Sequence, residues 1–235
     1  MYIRFFKRFL DLALSLAAFI VLLPILLIFA VVGAIAMKGN PFFVQPRPGK
    51  KDKSGKEKIF KLVKFRTMSN AKDKNGNLLP DDKRLGKYGA WLRSTSIDEL
   101  PSLVNIIKGD LAIVGPRPQL VRDMTFMTDE QRRRHDVRAG LTGLAYVNGR
   151  NSITWEKKLE YDLQYIDSGI TFAKDVKIVF RTVGEVLKRS DTVREGTVSD
   201  IDFGDWLMMN GKIDKETYEA GRSEADKILE EMRRR

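Results

Sequence analysis

Asp98 and Glu99 stand side by side in the run SIDELPSLVNIIKGD, and a Gly-Pro-Arg-Pro loop at residues 115–118 closes the same segment. Adjacent carboxylates can supply a nucleophile and ligands for a hard cation. An arginine fixed between two prolines loses little freedom on meeting a phosphate. Together they describe chemistry on a phosphorylated substrate. An anionic nucleophile is repelled by an anionic phosphate diester unless a cation lies between them. Lys64, Arg66, Arg93, Arg117 and Arg150 are the candidates to provide that positive charge. Mg2+ fits Asp98 and Glu99 as metal ligands, because it is held by one or two carboxylates together with substrate phosphates. Blander readings stand beside these. A carboxylate pair also favours a helix N-terminus, Arg117 could sit solvated in a stiff turn, and Asn148-Gly149-Arg150 could be an ordinary turn or a phosphate-holding loop.

Other constellations are weaker. His135 lies in a charged stretch and reads as a surface or buttressing residue. Asp200, Asp202 and Asp205 lack the spacing of a calcium loop and read as a solvated acidic linker. No P-loop, no G-x-G-x-x-G and no Ser-His-Asp arrangement stands out, and the absence of cysteine excludes disulfide and thiolate chemistry.

The site needs elements to position it. Ser96 and Glu99 have the spacing of a capping box, although Pro101 falls awkwardly at the end of the first turn. Leu100, Leu103, Val104 and Ile107 share one helical face, which leaves Asp98 on the opposite side, and Gly109 ends the helix. Residues 59–68 alternate apolar and basic side chains and predict a strand carrying either Lys61 or the Lys64–Arg66 pair on one face. Residues 40–49, punctuated by Pro41, Pro46, Pro48 and Gly49, read as a break followed by a polar loop. Residues 70–83 read as a surface excursion, 129–138 as a charged helix and 138–151 as a Gly-rich loop. Amphipathic helices are expected at 154–166 and 172–187. The second carries Lys174, Lys177 and Arg181 beside an apolar stripe, a pattern that suits either an acidic membrane surface or an ordinary core-facing helix. After Gly196 the chain turns acidic, then helical and highly charged from 215 to 234.

A chain of 235 residues with net charge +11 suggests one domain with an appendage and an anionic partner: nucleic acid, acidic lipid or a phosphorylated substrate. Residues 9–37 are almost wholly apolar and long enough to span a bilayer. Basic residues flank both ends: Arg4, Lys7 and Arg8 before, Lys38, Arg47, Lys50 and Lys51 after. A crossing segment cannot place both flanks on the cytoplasmic side, whereas one that enters and returns can. Pro24, mid-segment, bends a helix by removing one hydrogen bond. Spanning and re-entry both stay open on these grounds.

The apolar segment with Pro24, then FVQPRPG, KFRTM, SIDELPSLVNIIKGD, IVGPRP, HDVRAGLTGLAYVNGR and WEKKLEYD, in this order over roughly residues 1–190, resemble the bacterial sugar transferases. The likeness is to the small monotopic polyprenyl-phosphate phosphoglycosyl transferases, typified by the Campylobacter enzyme that begins N-glycan assembly. The resemblance implies a helix-rich α/β monotopic membrane protein. Residues 1–39 would form a re-entrant membrane helix broken at Leu23–Pro24. Residues 40–195 would form a catalytic domain at the cytoplasmic face of the bacterial inner membrane, with interfacial amphipathic helices, and residues 196–235 a helical extension of unknown role. It further implies Mg2+ and a ping-pong reaction. Asp98 would attack the β-phosphate of a UDP-sugar and expel UMP, and polyprenyl (undecaprenyl) phosphate would then accept the phosphosugar. Glu99 would assist metal placement or deprotonation, and Arg93, Arg117 and Arg150 would meet phosphate or nucleotide. No nucleic-acid partner is implied; a homodimer or downstream glycosyltransferases are possible partners. Three positions depart from the family pattern: Leu23 stands for a usual serine, Ala139 for proline and Tyr146 for glutamine. The competing expectation from a different class is a membrane-anchored basic protein that binds acidic lipid or nucleic acid, in which Asp98 would have no special role.

Overall fold

The computed structural model describes residues 2–149, 152–188 and 201–234. It is a helix-rich α/β fold with two small sheets. A single helix α1 (Lys7–Ala36) contains Pro24 and runs through it without interruption. No non-helical residue separates two helices at Leu23–Pro24, so the expected break into two pieces is not what the chain forms there. About 1.5 Å of rise per residue makes this helix on the order of 45 Å long. Its composition is that of a membrane segment, and much of its apolar surface, including Ile20, Val21, Leu27, Ile28, Val31 and Ile35, faces outward.

Both ends of α1 are fastened to the rest of the protein. At the N-terminal end, Lys7 Nζ lies 2.7 Å from Asp175 Oδ2, and Arg8 donates to the carbonyls of Ile106 and Ile107. Asp11 Oδ1 accepts from the Ile113 amide at 3.1 Å. In the middle, Phe19, Leu22 and Leu26 pack with Phe65 and Leu92. Toward the C-terminal end the Tyr88 hydroxyl donates to the Phe29 carbonyl, and Gly33 approaches Tyr88 and Pro41.

Two strands follow, β1 (Phe42–Lys51) and β2 (Glu57–Phe65), paired antiparallel with Phe42 opposite Phe65 and Pro48 opposite Ile59. The expected strand is therefore β2, and the stretch at 40–49 read as a helix-ending break is mostly its partner. Pro46 and Pro48 lie two apart, so their missing amides fall on one side of β1, the outer edge of a two-stranded sheet, where no ladder bond is lost. The other edge of β2 is covered by side chains. Asn105 accepts from the Val63 amide and donates to the Lys61 carbonyl, and the Ser102 hydroxyl donates to the Val63 carbonyl. These three bonds dock the acidic segment against β2.

Beyond the short helices α2 (Asp81–Arg84) and α3 (Lys87–Ser94), residues Ile97–Ser102 form a 3₁₀ turn that continues into α4 (Leu103–Lys108). The expected capping box is not made. Ser96 adopts φ +56°, its hydroxyl lies 3.3 Å from the Tyr146 hydroxyl, and the Glu99 carboxylate turns to cations instead of the Ser96 amide. The buried face is Leu103 and Ile106 with Asn105, while Val104 and Ile107 are only half-buried. Gly109, at φ +90°, ends α4 as expected.

Strand β3 (Ala112–Val114) pairs in parallel with β4 (Gly140–Thr142), which with α7 (Leu144–Val147) gives regular structure to the stretch read as a loop. Between them lie α5 (Val121–Met124), α6 (Asp129–Arg132) and a 3₁₀ turn at Arg133–Asp136. Helices α8 (Trp155–Asp167) and α9 (Phe172–Lys188) match expectation. On α9, Asp175 and Ile178 are buried while Phe172, Val179, Phe180, Val183 and Leu187 are exposed. The C-terminal segment forms α10 (Phe203–Met209) and the expected α11 (Lys215–Arg234), both packed on the rest of the protein.

One buried ion pair ties this frame to the Gly-Pro-Arg-Pro loop. Arg134, 1% exposed, donates to Asp162 Oδ2 through Nε (3.0 Å) and Nη2 (2.6 Å), and Nη2 also reaches the Arg117 carbonyl. Removing one partner of such a pair leaves an uncompensated buried charge. Arg134→Met is expected to cost about 3–5 kcal/mol, and the double variant Arg134→Met/Asp162→Leu is expected to recover most of it. Thermal unfolding of the purified variants in one detergent checks both.

Candidate active site

The Glu99 carboxylate is the centre of a charge cluster drawn from three elements. Lys64 Nζ, from β2, donates to Glu99 Oε1 at 2.9 Å, and Arg117 Nη2, from the Pro-Arg-Pro loop, donates to the same oxygen at 2.6 Å. Glu99 lies in the 3₁₀ turn, held against β2 by Ser102 and Asn105. Burial alone would raise the Glu99 carboxyl, but Arg117 and Lys64 overcome it and hold the group well below the usual carboxylate range. Glu99 in turn keeps Arg117 firmly protonated against its burial. Burial lowers the Lys64 ammonium, with Glu99 opposing.

Asp98 responds in the opposite direction. Burial, reinforced by the adjacent Glu99 charge, pushes its carboxyl up from 3.8 to about 6, while Lys64, Arg93 and Arg117 act against the rise. Arg93, on α3, donates to the Thr67 hydroxyl at 3.0 Å, and Asp98 is the foremost charge opposing the effect of its burial. Two adjacent carboxylates therefore sit in different electrostatic states. Glu99 is neutralised by direct ion pairs, whereas Asp98 is poised to titrate just below neutrality, as groups that do chemistry often are. The left-handed Ser96, two residues before Asp98, is in a rare backbone state for a non-glycine residue, of the kind that concentrates at functional sites.

Of the residues singled out from the sequence, the fold brings together Asp98, Glu99, Lys64, Arg93 and Arg117. Arg66 stands just past the end of β2, half-buried, and its side chain makes no hydrogen bond or ion pair among the described residues. Arg150 lies outside the described residues. His135 is buried 3.3 Å from Glu57, and burial lowers its pKa to about 4, in keeping with the buttressing reading. Asp202 pairs with Arg122 and Arg222, and Asp205 accepts from the Tyr218 hydroxyl, so both serve tail packing; Asp200 lies outside the described residues.

Two contributors were not picked out as site residues. Arg47, read only as a flanking charge, donates to the Pro118 carbonyl at 3.0 Å and to Gln45. It lines a small cavity with Lys64, Glu99, Ser102 and Arg117. Burial, with Arg117 next, lowers its pKa to about 10. A signal was present: Pro-Arg-Pro occurs at 46–48 as well as at 116–118, and both arginines converge here. Tyr146, seen only as a departure from a family pattern, is buried with its ring under the Arg117 guanidinium, 5.9 Å from its centroid.

No group of three or more His, Cys, Asp or Glu side chains could enclose a metal among the described residues. Asp98 and Glu99 offer hard oxygen donors with no protein cage around them. That donor set fits Mg2+, which keeps waters and takes substrate phosphates as its other ligands.

A sequence profile described as bacterial sugar transferase matches residues 2–189. The chain belongs to the bacterial sugar transferase family. It is 46% identical over 183 residues to an uncharacterized sugar transferase of Bacillus subtilis, covering 77% of this chain and 87% of that one. It is 39% identical over 193 residues to the UDP-glucose:undecaprenyl-phosphate glucose-1-phosphate transferase of Klebsiella pneumoniae. That alignment covers 76% of this chain but only 39% of the longer Klebsiella protein. An exopolysaccharide production protein of Rhizobium meliloti is 31% identical over 197 residues, with 77% and 84% of the two chains covered. The residues after 200, which build α10 and α11, lie beyond the matched family segment.

The two carboxylates should differ in what their neutralisation does to the fold. The folded-state pKa of Asp98 lies above its ordinary value, so ionising it works against folding. That stability is fully present below about pH 4 and is lost as pH rises through about 6. Glu99 lies on the other side: its contribution is present at neutral pH and is lost as pH falls below its unfolded value. At pH 7.5, Asp98→Asn is therefore expected to melt at or above the wild-type temperature. Glu99→Gln should lose about 1–3 kcal/mol by leaving Lys64 and Arg117 poorly compensated. Paired thermal melts at pH 7.5 check the opposite signs.

Proposed function

We propose that this transferase moves a phosphosugar from a UDP-sugar to polyprenyl phosphate at the cytoplasmic face of the bacterial inner membrane, as the first membrane step of glycoconjugate assembly. The observation that carries the reading is the asymmetry of the carboxylate pair: Asp98 unclamped and poised near pH 6, Glu99 locked between Lys64 and Arg117. The family membership and the relatives named for undecaprenyl-phosphate sugar-phosphate transfer supply the substrate class.

In the first step an Asp98 carboxylate oxygen attacks the β-phosphorus of the UDP-sugar. A P–O bond forms to Asp98, the bond from that phosphorus to the bridging oxygen breaks, and UMP leaves with the electron pair. In the second step a phosphate oxygen of the polyprenyl phosphate attacks the same phosphorus. The Asp98–phosphorus bond breaks, Asp98 returns as a carboxylate, and polyprenyl-diphospho-sugar is released. Lys64, Arg93, Arg117 and Arg47 offset the charge that would otherwise keep carboxylate and diphosphate apart. Mg2+, held by Asp98 and Glu99, would add Lewis-acid neutralisation of the phosphate oxygens. Glu99 acts as anchor for Lys64 and Arg117 rather than as a base, since its depressed pKa makes it a poor proton acceptor at neutral pH.

The membrane arrangement follows the same logic. A polyprenyl acceptor presents its phosphate at headgroup level, so the site must sit at the bilayer surface. A helix whose two ends are both tied to the catalytic domain leaves both flanks on one side, which supports a monotopic placement over crossing. The exposed apolar residues of α9 next to Lys174, Lys177 and Arg181 suit a helix lying in the interface of an anionic bilayer.

The test is UMP release by detergent-solubilised protein with Mg2+, undecaprenyl phosphate and a panel of UDP-sugars. Turnover is expected with one donor class. Without acceptor, a burst of about one UMP per enzyme is expected, with the phosphosugar mass retained on the Asp98 peptide. Asp98→Asn should lose at least about a hundredfold of activity, and activity surviving in that variant would refute the nucleophile. Because the ionised form attacks, kcat/KM should fall roughly tenfold per unit as pH drops below about 6 and level off above it.

A further inference from the structure

We propose that residues 201–234 are an intramolecular brace for the loop that carries Arg117, with Asp123 as the positioning residue that links the two. The proposal rests on the transfer reading of the Asp98 site and extends it to a part of the chain beyond the matched family segment.

Asp123 is 2% exposed and holds both sides. Its Oδ2 accepts from the Leu120 amide at 2.8 Å, two residues past Pro118. Its Oδ1 accepts from the Phe203 amide at 2.9 Å, at the first turn of α10. The Arg117 loop is thus hydrogen-bonded to a carboxylate whose other oxygen belongs to the tail. Upstream, the same loop is held by Arg134 at the Arg117 carbonyl, by Arg47 at the Pro118 carbonyl, and by backbone bonds of Gly115 and Pro116 to Thr142 and Gly140. Without the tail, one oxygen of a buried carboxylate loses its donor and opens to water, and the downstream hold on the loop weakens.

The docking is built, not incidental. Phe126 of the catalytic domain sits between two glycines of the tail. A Cβ on Gly204 would lie 2.3 Å from its ring, and a Cβ on Gly221 would lie 2.4 Å from it. Gly221 is inside α11, where glycine costs about 1 kcal/mol relative to alanine, so its presence is explained by the approach of that ring. Tyr218 stacks on Phe126 with centroids 5.8 Å apart. Phe203 packs with Met127, Trp155 and Leu159, and the Trp155 indole donates to the Ile201 carbonyl at 2.8 Å. Ala225, Ile228 and Leu229 cover Val121 and Met124 of α5, the helix that contains Asp123. Asp202 adds ion pairs to Arg122 of α5 and to Arg222 of α11.

The test uses the full chain. Gly221→Val should dislodge α11 from Phe126, and Gly221→Val/Phe126→Ala, which clears the space, should restore docking. Asp123→Ala cuts the link with the tail otherwise intact. Two readouts are taken: hydrogen–deuterium exchange of peptides covering 116–124 and 203–230, and kcat and KM for UMP release. In Gly221→Val and in Asp123→Ala the 116–124 peptide should exchange faster. In both, kcat should fall roughly ten- to a hundredfold, as expected when a phosphate-contacting group is slightly misplaced, with KM for the UDP-sugar changing less. The double variant should regain loop protection and kcat together. Two outcomes overturn the brace: loop exchange that stays at the wild-type rate in Asp123→Ala, or full kcat in a variant whose loop exchanges faster. A wild-type protein that releases no UMP would sink the transfer reading instead, while the exchange data still decide whether the tail holds the loop.

Discussion

One shared oxygen organises the site: Glu99 Oε1, which receives Lys64 from the hairpin and Arg117 from the Pro-Arg-Pro loop. Each partner arrives from a different part of the chain, and each brings its own support. Lys64 is fixed because β2 is paired on one edge and sealed on the other by Asn105 and Ser102. Arg117 is fixed because Arg134 and Arg47 take the carbonyls of its own residue and the next. Buried charges are tolerable only when paired, so the fold cannot relax any one of these supports without exposing or orphaning another. The consequence for chemistry is that the cations are already spoken for by Glu99, which leaves Asp98 as the carboxylate whose charge is least compensated.

The membrane helix belongs to the same frame. Arg8 caps the carbonyls at the end of α4, the helix whose preceding turn carries Asp98 and Glu99, and Asp11 takes the Ile113 amide of β3. Helix ends have unsatisfied carbonyls that need donors, and here the donor comes from the apolar helix itself, joined by Arg138 at Gly109. The height of the carboxylates relative to α1 is therefore set by hydrogen bonds instead of by a flexible linker. In the transfer proposed above, where the acceptor phosphate would lie at a fixed depth, such a rigid connection would align site and substrate at no ordering cost when the acceptor arrives.

Much of this was legible in the chain because charge and rigidity leave marks in residue types. Asp98, Glu99, Lys64 and Arg117 could be named from adjacency and from the Pro-Arg-Pro frame. Arg47 had the same frame and was passed over, since a basic residue just after an apolar segment also satisfies the flanking-charge pattern. Strand β1 hid behind its prolines, which break a central strand but cost nothing at an outer edge. The capping box failed for a related reason: Glu99 has the right spacing to reach back to Ser96, but two cations outcompete one backbone amide. Arg66 shows the limit of alternation, because it shares Lys64's parity but falls beyond the last paired residue, where the strand no longer directs it.

The tail was the least legible part, and the reason is physical. Part of its docking is made by two glycines, which carry no hydrophobic signal, against a single aromatic ring more than seventy residues away in sequence. A helix such as α11 then reads as a polar, charge-rich segment with one glycine flaw. Seen from Phe126 the flaw is a socket, and the charged face is what remains outside after Ala225, Ile228 and Leu229 have turned inward. Periodicity reports which face of a helix is apolar, but it does not report what that face meets. Where the meeting surface ends in a carboxylate that also holds an active-site loop, an appendage by sequence becomes part of the catalytic frame by hydrogen bonding.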